Sequence, residues 1–188
     1  MSEERSFIGD YLGTIEEFIP GKGTFVEDGK IYSASIGKKV LDSKNHKASI
    51  SGKLPPELEV GQVVFGDVAA FRKSMATVIV KKIQGYQNDV DIRTNILISQ
   101  VSDSYVENLD EAFGIGDIVK AKVVKIEPGM IDISTKGDLG VVKAYCKRCR
   151  TPMIRSEKFQ NRLECGLCGH REGRKIAKDY RNVNITDL

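Results

Sequence analysis

The sequence has no tryptophan, only two histidines, and no apolar run approaching the roughly 18 residues that a membrane-spanning helix needs. With a polar, acidic opening at Met1-Ser-Glu-Glu-Arg5 as well, the expectation is a cytoplasmic chain with no membrane contact. Cysteine is scarce too. All four lie between positions 146 and 168, which excludes the evenly spread, disulfide-dense framework of a small secreted domain. Nor does one charge sign dominate: 29 Lys and Arg face 26 Asp and Glu, a net +3, which argues against a basic tail. What remains, 40% hydrophobic and 29% charged residues over 188 positions, is the composition of a folded protein of one or two domains.

The even total hides an uneven distribution. Residues 1–53 are neutral, residues 54–142 carry −4, and residues 143–181 carry +8 and every cysteine. The expected division is an N-terminal β domain over 1–55, an oligonucleotide-binding (OB) type barrel over 56–138 and a C-terminal ribbon over 139–188. Turn chemistry supports the first part. Asp28-Gly29 separates Thr24–Glu27 from Lys30–Ser35, and a two-residue Asp-Gly loop between β-prone runs is a strong hairpin signal. The Pro20-Gly21-Lys22-Gly23 run reads as a reversal. It lacks the strand, G-x-x-x-x-G-K-S/T and helix context of a phosphate-binding loop. Leu54-Pro55-Pro56-Glu57 reads as a stiff linker.

In the middle segment, 60–71 and 75–83 are expected as consecutive strands around an Arg72-Lys73-Ser74 reversal. A helix is expected over 102–113, from the spacing of Tyr105, Val106, Leu109, Ala112 and Phe113, with Ser104 and Glu107 as a capping box. Residues 118–126 alternate, with Val119, Ala121 and Val123 on one face and Lys120 and Lys122 on the other, and Pro128-Gly129 turns the chain into 130–135. Four or five strands with a helical insertion before the last pair predict a closed barrel of OB type, so the fold class is mainly β.

Cys146-Lys-Arg-Cys149 and Cys165-Gly-Leu-Cys168 form two C-x-x-C pairs separated by 15 residues, a zinc-site spacing. Two intervening residues let one turn present both sulfurs to one ion, and the hairpin brings the second turn opposite. Four thiolates leave no open coordination position, so the metal is expected to be structural. Disulfides suit export, and redox C-x-x-C motifs expect a βαβ setting, so neither fits; iron satisfies the same geometry as zinc. His170, two residues beyond Cys168, reads as a solvated side chain.

No catalytic constellation emerges. Asp89 with Asp91, and Asp110 with Glu111, read as solvated pairs, and neither His46 nor His170 adjoins a relay pattern. The expectation is a non-enzyme.

Gly9-Asp10-Tyr11-Leu12-Gly13, Pro20–Val26, Gly114–Val123 and Leu139–Cys146 with the second cysteine pair together resemble the Csl-four-type cap subunits of the archaeal exosome, over essentially the whole chain. That resemblance implies a β domain that docks on a ring of ribonuclease PH-like subunits, an S1-type barrel and a zinc ribbon. It further implies a trimeric cap of this chain or a related one, single-stranded RNA as ligand and a primase-like accessory partner. The barrel departs from the usual S1 pattern: Ser74 and Thr77 stand where aromatics are common, and Leu97 where a histidine is, while Phe71 reads as core. With base stacking worth about 1–3 kcal/mol per base, the barrel alone should bind RNA weakly. Candidate RNA-contacting residues are Arg72, Lys73, Lys81, Lys82 and Arg93 on the barrel and Lys147, Arg148, Arg150 and Arg171 on the ribbon. The ribbon keeps about +6 once four thiolates and one divalent ion are counted. The rival reading is a free-standing OB-fold and zinc-ribbon factor of transcription or translation.

Overall fold

The computed structural model describes residues 5–52, 57–86, 88–156 and 162–183, so the linker expected at 54–57 lies outside them except for Glu57. The chain parts into two compact units, residues 1–56 and 57–188.

Among its described residues the first unit has seven short strands: β1 (Arg5–Ser6), β2 (Tyr11–Thr14), β3 (Ile19–Pro20), β4 (Thr24–Glu27), β5 (Lys30–Ser33), β6 (Gly37–Asp42) and β7 (Lys47–Ser51). They make two sheets, ordered β1-β6-β7-β3 and β2-β5-β4. Alternation along β7 buries Ala48 and Ile50, which meet Leu12 of β2 and Ile31 of β5 in a small core flanked by Phe18. The β4–β5 hairpin forms as expected: Asp28 and Gly29 both adopt positive φ (48° and 73°), the condition for a twist-matched two-residue turn. The reversal after Pro20 is also present, closed by Thr24 Oγ1 donating to the Gly21 carbonyl at 2.8 Å.

The second unit opens with β8 (Val63–Arg72), β9 (Met75–Ile83) and β10 (Ile92–Leu97). After a short helix α1 (Leu109–Ala112) come β11 (Ile118–Glu127), β12 (Met130–Ser134) and β13 (Gly140–Lys143). The strand order β12-β10-β9-β8-β11 closes on itself because β11 also pairs with β12, and β10–β12 is the parallel contact. This is an OB-type five-stranded barrel, with β13 added outside β11. Its interior is lined by Val64, Val68, Val78, Val80, Ile96, Val119, Ala121, Val123 and Ile133. A second three-stranded sheet, β14 (Ile154–Arg155), β15 (Arg162–Glu164) and β16 (Arg171–Gly173), carries the cysteines at its turns. Met153, Leu163, Cys146, Cys165 and Tyr180 join the barrel residues in one contiguous core.

The helix expected over 102–113 is cut to four residues. Ser102 and Ser104 bond to each other (3.0 Å), and the Ser104 amide donates to the Ser102 hydroxyl, so a side-chain turn replaces the first helical turn. Asn108, in extended backbone geometry, stands at the N-cap position, and Tyr105 is 91% exposed instead of lining the helix face. Leu109, Ala112 and Phe113 are buried as expected.

Candidate metal centre and ribbon–barrel junction

The two cysteine turns are built alike. In each, the residue after the second cysteine takes positive φ, Arg150 at 60° and Gly169 at 66°, and its amide donates at 2.9 Å to the carbonyl of the first cysteine. That geometry curls both thiols to one side. All four sulfurs lie within 4.8 Å of one another, with Cys149–Cys165 at 3.3 Å and both Cys146–Cys168 and Cys149–Cys168 at 3.6 Å. A tetrahedral ion with sulfur ligands at about 2.3 Å requires separations of about 3.8 Å. The donor set therefore fits one closed, four-thiolate metal site, and all four cysteines are free.

Crowding splits the thiols' acidities. Thr151, through its hydroxyl and amide, together with the Cys165 thiol, draws Cys149 down to about 6. The His170 amide favours the Cys168 thiolate, but burial and the three neighbouring thiols outweigh it and push Cys168 up to about 12. Four anions cannot share this space without a cation among them. His170 is not drawn into the sulfur cluster; its Nε2 lies 3.5 Å from Glu172.

Beside the cysteine turns sits a buried ionic network that the charge pattern of the sequence does not reveal. Arg174 donates through Nε to Asp117 Oδ2 (2.6 Å), through Nη2 to Glu172 Oε2 (2.6 Å) and through Nη1 to the Gly173 carbonyl (2.7 Å). Asp117 also accepts from the amides of Gly114 (2.7 Å) and Tyr145 (3.1 Å), and Glu172 accepts from the Lys147 amide (2.8 Å) inside the first cysteine turn. Burial lifts the Asp117 carboxyl above its usual range despite Arg174. For Glu172 burial acts in the same upward direction, but the Lys147 amide and Arg174 prevail and hold it below. The network fastens the metal-bearing turns to the barrel loop that opens β11. The sequence signal was Gly114-x-Gly116-Asp117 directly before a strand, an acid placed where two tight turns leave amides unpaired.

The candidate RNA-contacting residues are dispersed. On the barrel, Lys81 pairs with Asp91 (3.0 Å) and Lys82 with Asp89 (2.7 Å), joining the acids read as solvated to the lysines read as a patch. A register shift in the β8–β9 ladder between Phe65 and Gly66, opposite Lys82 and Val80, accommodates both lysines. Arg72 and Lys73 are exposed at the β8–β9 turn and Arg93 is exposed on β10. On the ribbon, Arg171 pairs with Glu164 (3.2 Å), Arg150 donates to the Ile115 carbonyl (3.2 Å) and Lys147 Nζ to the Asp110 carbonyl (3.1 Å). Arg148 is exposed at the tip of the first cysteine turn without a partner among the described residues. Arg174, counted in the ribbon's positive charge, is spent inside the junction. Phe71 is half-buried and packs against the barrel core, in keeping with the core role expected for it. No helix among the described residues is long and apolar enough to cross a membrane.

These features define a class: a mainly β chain in which an OB-type barrel carries a four-cysteine ribbon, with a small β unit ahead of it. Comparison with known proteins narrows it. Residues 9–42 match the family model "Exosome complex exonuclease RRP4 N-terminal region". The exosome complex component Csl4 of Archaeoglobus fulgidus is 36% identical over 176 residues, covering 92% of this chain and 94% of that protein. The exosome complex component Rrp4 of Methanothermus fervidus is 31% identical over 119 residues, 59% of this chain and 46% of that one. The chain belongs to the Csl4 family of exosome components.

Proposed function

We propose that this chain is a non-catalytic, RNA-binding cap subunit of an archaeal exosome, recruiting RNA to a ring of ribonuclease PH-like subunits that degrade or process it from the 3′ end. The observation that carries this reading is the 36% identity with the Csl4 of Archaeoglobus fulgidus, over 92% of this chain and 94% of that one. In this account residues 1–55 dock on the ring, residues 56–138 form the S1-type barrel and residues 139–188 form the ribbon. The chain occupies a trimeric cap, with itself or a related cap protein as neighbours, in the cytoplasm.

The first unit supports a docking role by its surface. Phe7, Ile8, Ile15, Ile19 and Ile36 are each more than half exposed, an unusual density of large apolar side chains for a unit with so small a core. Zinc is the metal assigned to Cys146, Cys149, Cys165 and Cys168, where it holds the ribbon turns together; with four protein ligands it offers no position for substrate. The exposed Arg148 and the remaining ribbon cations attract RNA phosphates or a primase-like accessory protein. The test is affinity purification of the tagged chain from its own cells. Ring subunits in threefold proportion to the cap support the reading, and recovery with ribosomes or RNA polymerase instead overturns it.

A further inference from the structure

Where the barrel loop before α1 meets the chain leaving β16, the second unit is hollowed by a cleft of about 460 Å³. Part of its lining is apolar: Val106, Ala112 and Ile176 face it and pack on the core behind. Tyr105 also lines it, yet its side chain is almost wholly exposed and its hydroxyl has no partner among the described residues. Glu107 and Glu111 supply charge. Glu107 is exposed with no cation or donor among the described residues, and the Glu111 carboxylate meets only the Asn108 side-chain amide, at 3.5 Å.

The two cations that line the cleft are committed elsewhere. Arg174 is held by Asp117 and Glu172 inside the junction, and the Lys175 ammonium donates to the Gly137 carbonyl at 2.8 Å. Residues 102–113, which form one wall, carry four acids and no Lys, Arg or His. An open aromatic ring, uncompensated carboxylates and an apolar lining therefore meet in one hollow. That combination selects a cation with a long apolar stem over an anionic or a purely apolar ligand.

We infer that this cleft is a docking site for an arginine-bearing segment of a partner protein. Arginine meets each part of the lining with a different part of its side chain. Its methylene stem lies against Val106 and Ile176, its guanidinium plane stacks on the Tyr105 ring, and its N–H fork donates to the Glu107 and Glu111 carboxylates. Lysine brings the charge without the plane or the fork. RNA is disfavoured here, because its phosphates would face those carboxylates. The cleft thus takes a different class of partner from the exposed Arg148 on the ribbon.

The test titrates the full, zinc-loaded chain with the blocked peptide Gly-Arg-Gly-Arg-Gly and follows backbone amide shifts by NMR, beside peptides carrying lysine or glutamate in place of arginine. Shifts should concentrate at residues 102–112 and 174–176, with the arginine peptide bound several-fold more tightly than the lysine one and the glutamate peptide not bound. Tyr105→Ala and Glu107→Gln should each weaken the arginine peptide about fivefold. Both side chains are exposed and outside every described hydrogen bond, so neither change should move the melting temperature. Equal binding of arginine and lysine peptides that ignores Tyr105→Ala would show general attraction to an acidic surface and overturn the inference. So would shifts elsewhere, no peptide binding, or single-stranded RNA shifting the cleft residues where the peptide does not. Each of those results leaves the RNA-recruiting reading standing.

Discussion

Asp117, in the turn that opens β11, and Arg174, just past β16, meet at 2.6 Å with both side chains withdrawn from solvent, joining the barrel to the ribbon across 57 residues of sequence. Asp117→Ala should destabilise the second unit by about 3–5 kcal/mol, because it strands a buried guanidinium and frees the amides of Gly114 and Tyr145. Denaturant unfolding followed by a probe in the barrel checks this; a loss below about 1 kcal/mol would show that the pair is dispensable.

Glu172 predicts a pH dependence. Its carboxyl is held below its ordinary value, so the stability it contributes is fully present above the unfolded-state pKa of about 4.3 and is lost as pH falls through the folded value. Asp117 runs the other way: its lifted carboxyl takes up a proton more readily in the folded state, so its ionisation costs stability as pH rises through that range. Glu172→Gln should therefore cost about 2 kcal/mol at neutral pH and progressively less in acid. Urea midpoints collected across the acid range would show that convergence, and a constant gap would contradict it.

Metal removal should act locally. A structural zinc site contributes on the order of 10 kcal/mol of apparent folding free energy, so chelation or Cys149→Ser should abolish amide protection around the two cysteine turns, through Lys147 and Glu172 into the junction. Amide hydrogen exchange should leave residues 5–52, whose core of Leu12, Ile31, Ala48 and Ile50 holds no metal ligand, as protected as before. Metal analysis should find one ion per chain.

Much of this architecture is legible in the sequence because strands announce themselves by alternation and turns by glycine and proline. The Asp28-Gly29 hairpin, the 75–83 strand and the alternation of Val119, Ala121 and Val123 against Lys120 and Lys122 all stand as read. The 102–113 helix is mostly lost because serine hydroxyls near its start bond to each other and to a local amide, a competition that apolar spacing does not register. Charge counting also has a limit. It assigns Arg174 to a recruiting surface and Asp117 to an acidic barrel, whereas partners so distant in sequence neutralise each other only once the fold brings them together.

Electrostatic recruitment by the ribbon predicts a salt dependence. Arg148→Ala should lower RNA affinity alike for all sequences and reduce the slope of log affinity against log salt by about 0.7, one phosphate contact on a single strand. Titrations over a range of salt concentrations check this, and an unchanged slope would assign Arg148 to another partner.

In the proposed function this chain recruits RNA while another protein cuts it. The most direct measurement adds the purified, zinc-loaded chain to a reconstituted ribonuclease PH-like ring and follows the shortening of single-stranded RNA with phosphate present. The chain alone should shorten no RNA, and decay should be faster or more processive when chain and ring are combined. Shortening by the chain alone, or decay by the ring that is indifferent to it, would contradict a recruiting, non-cutting role.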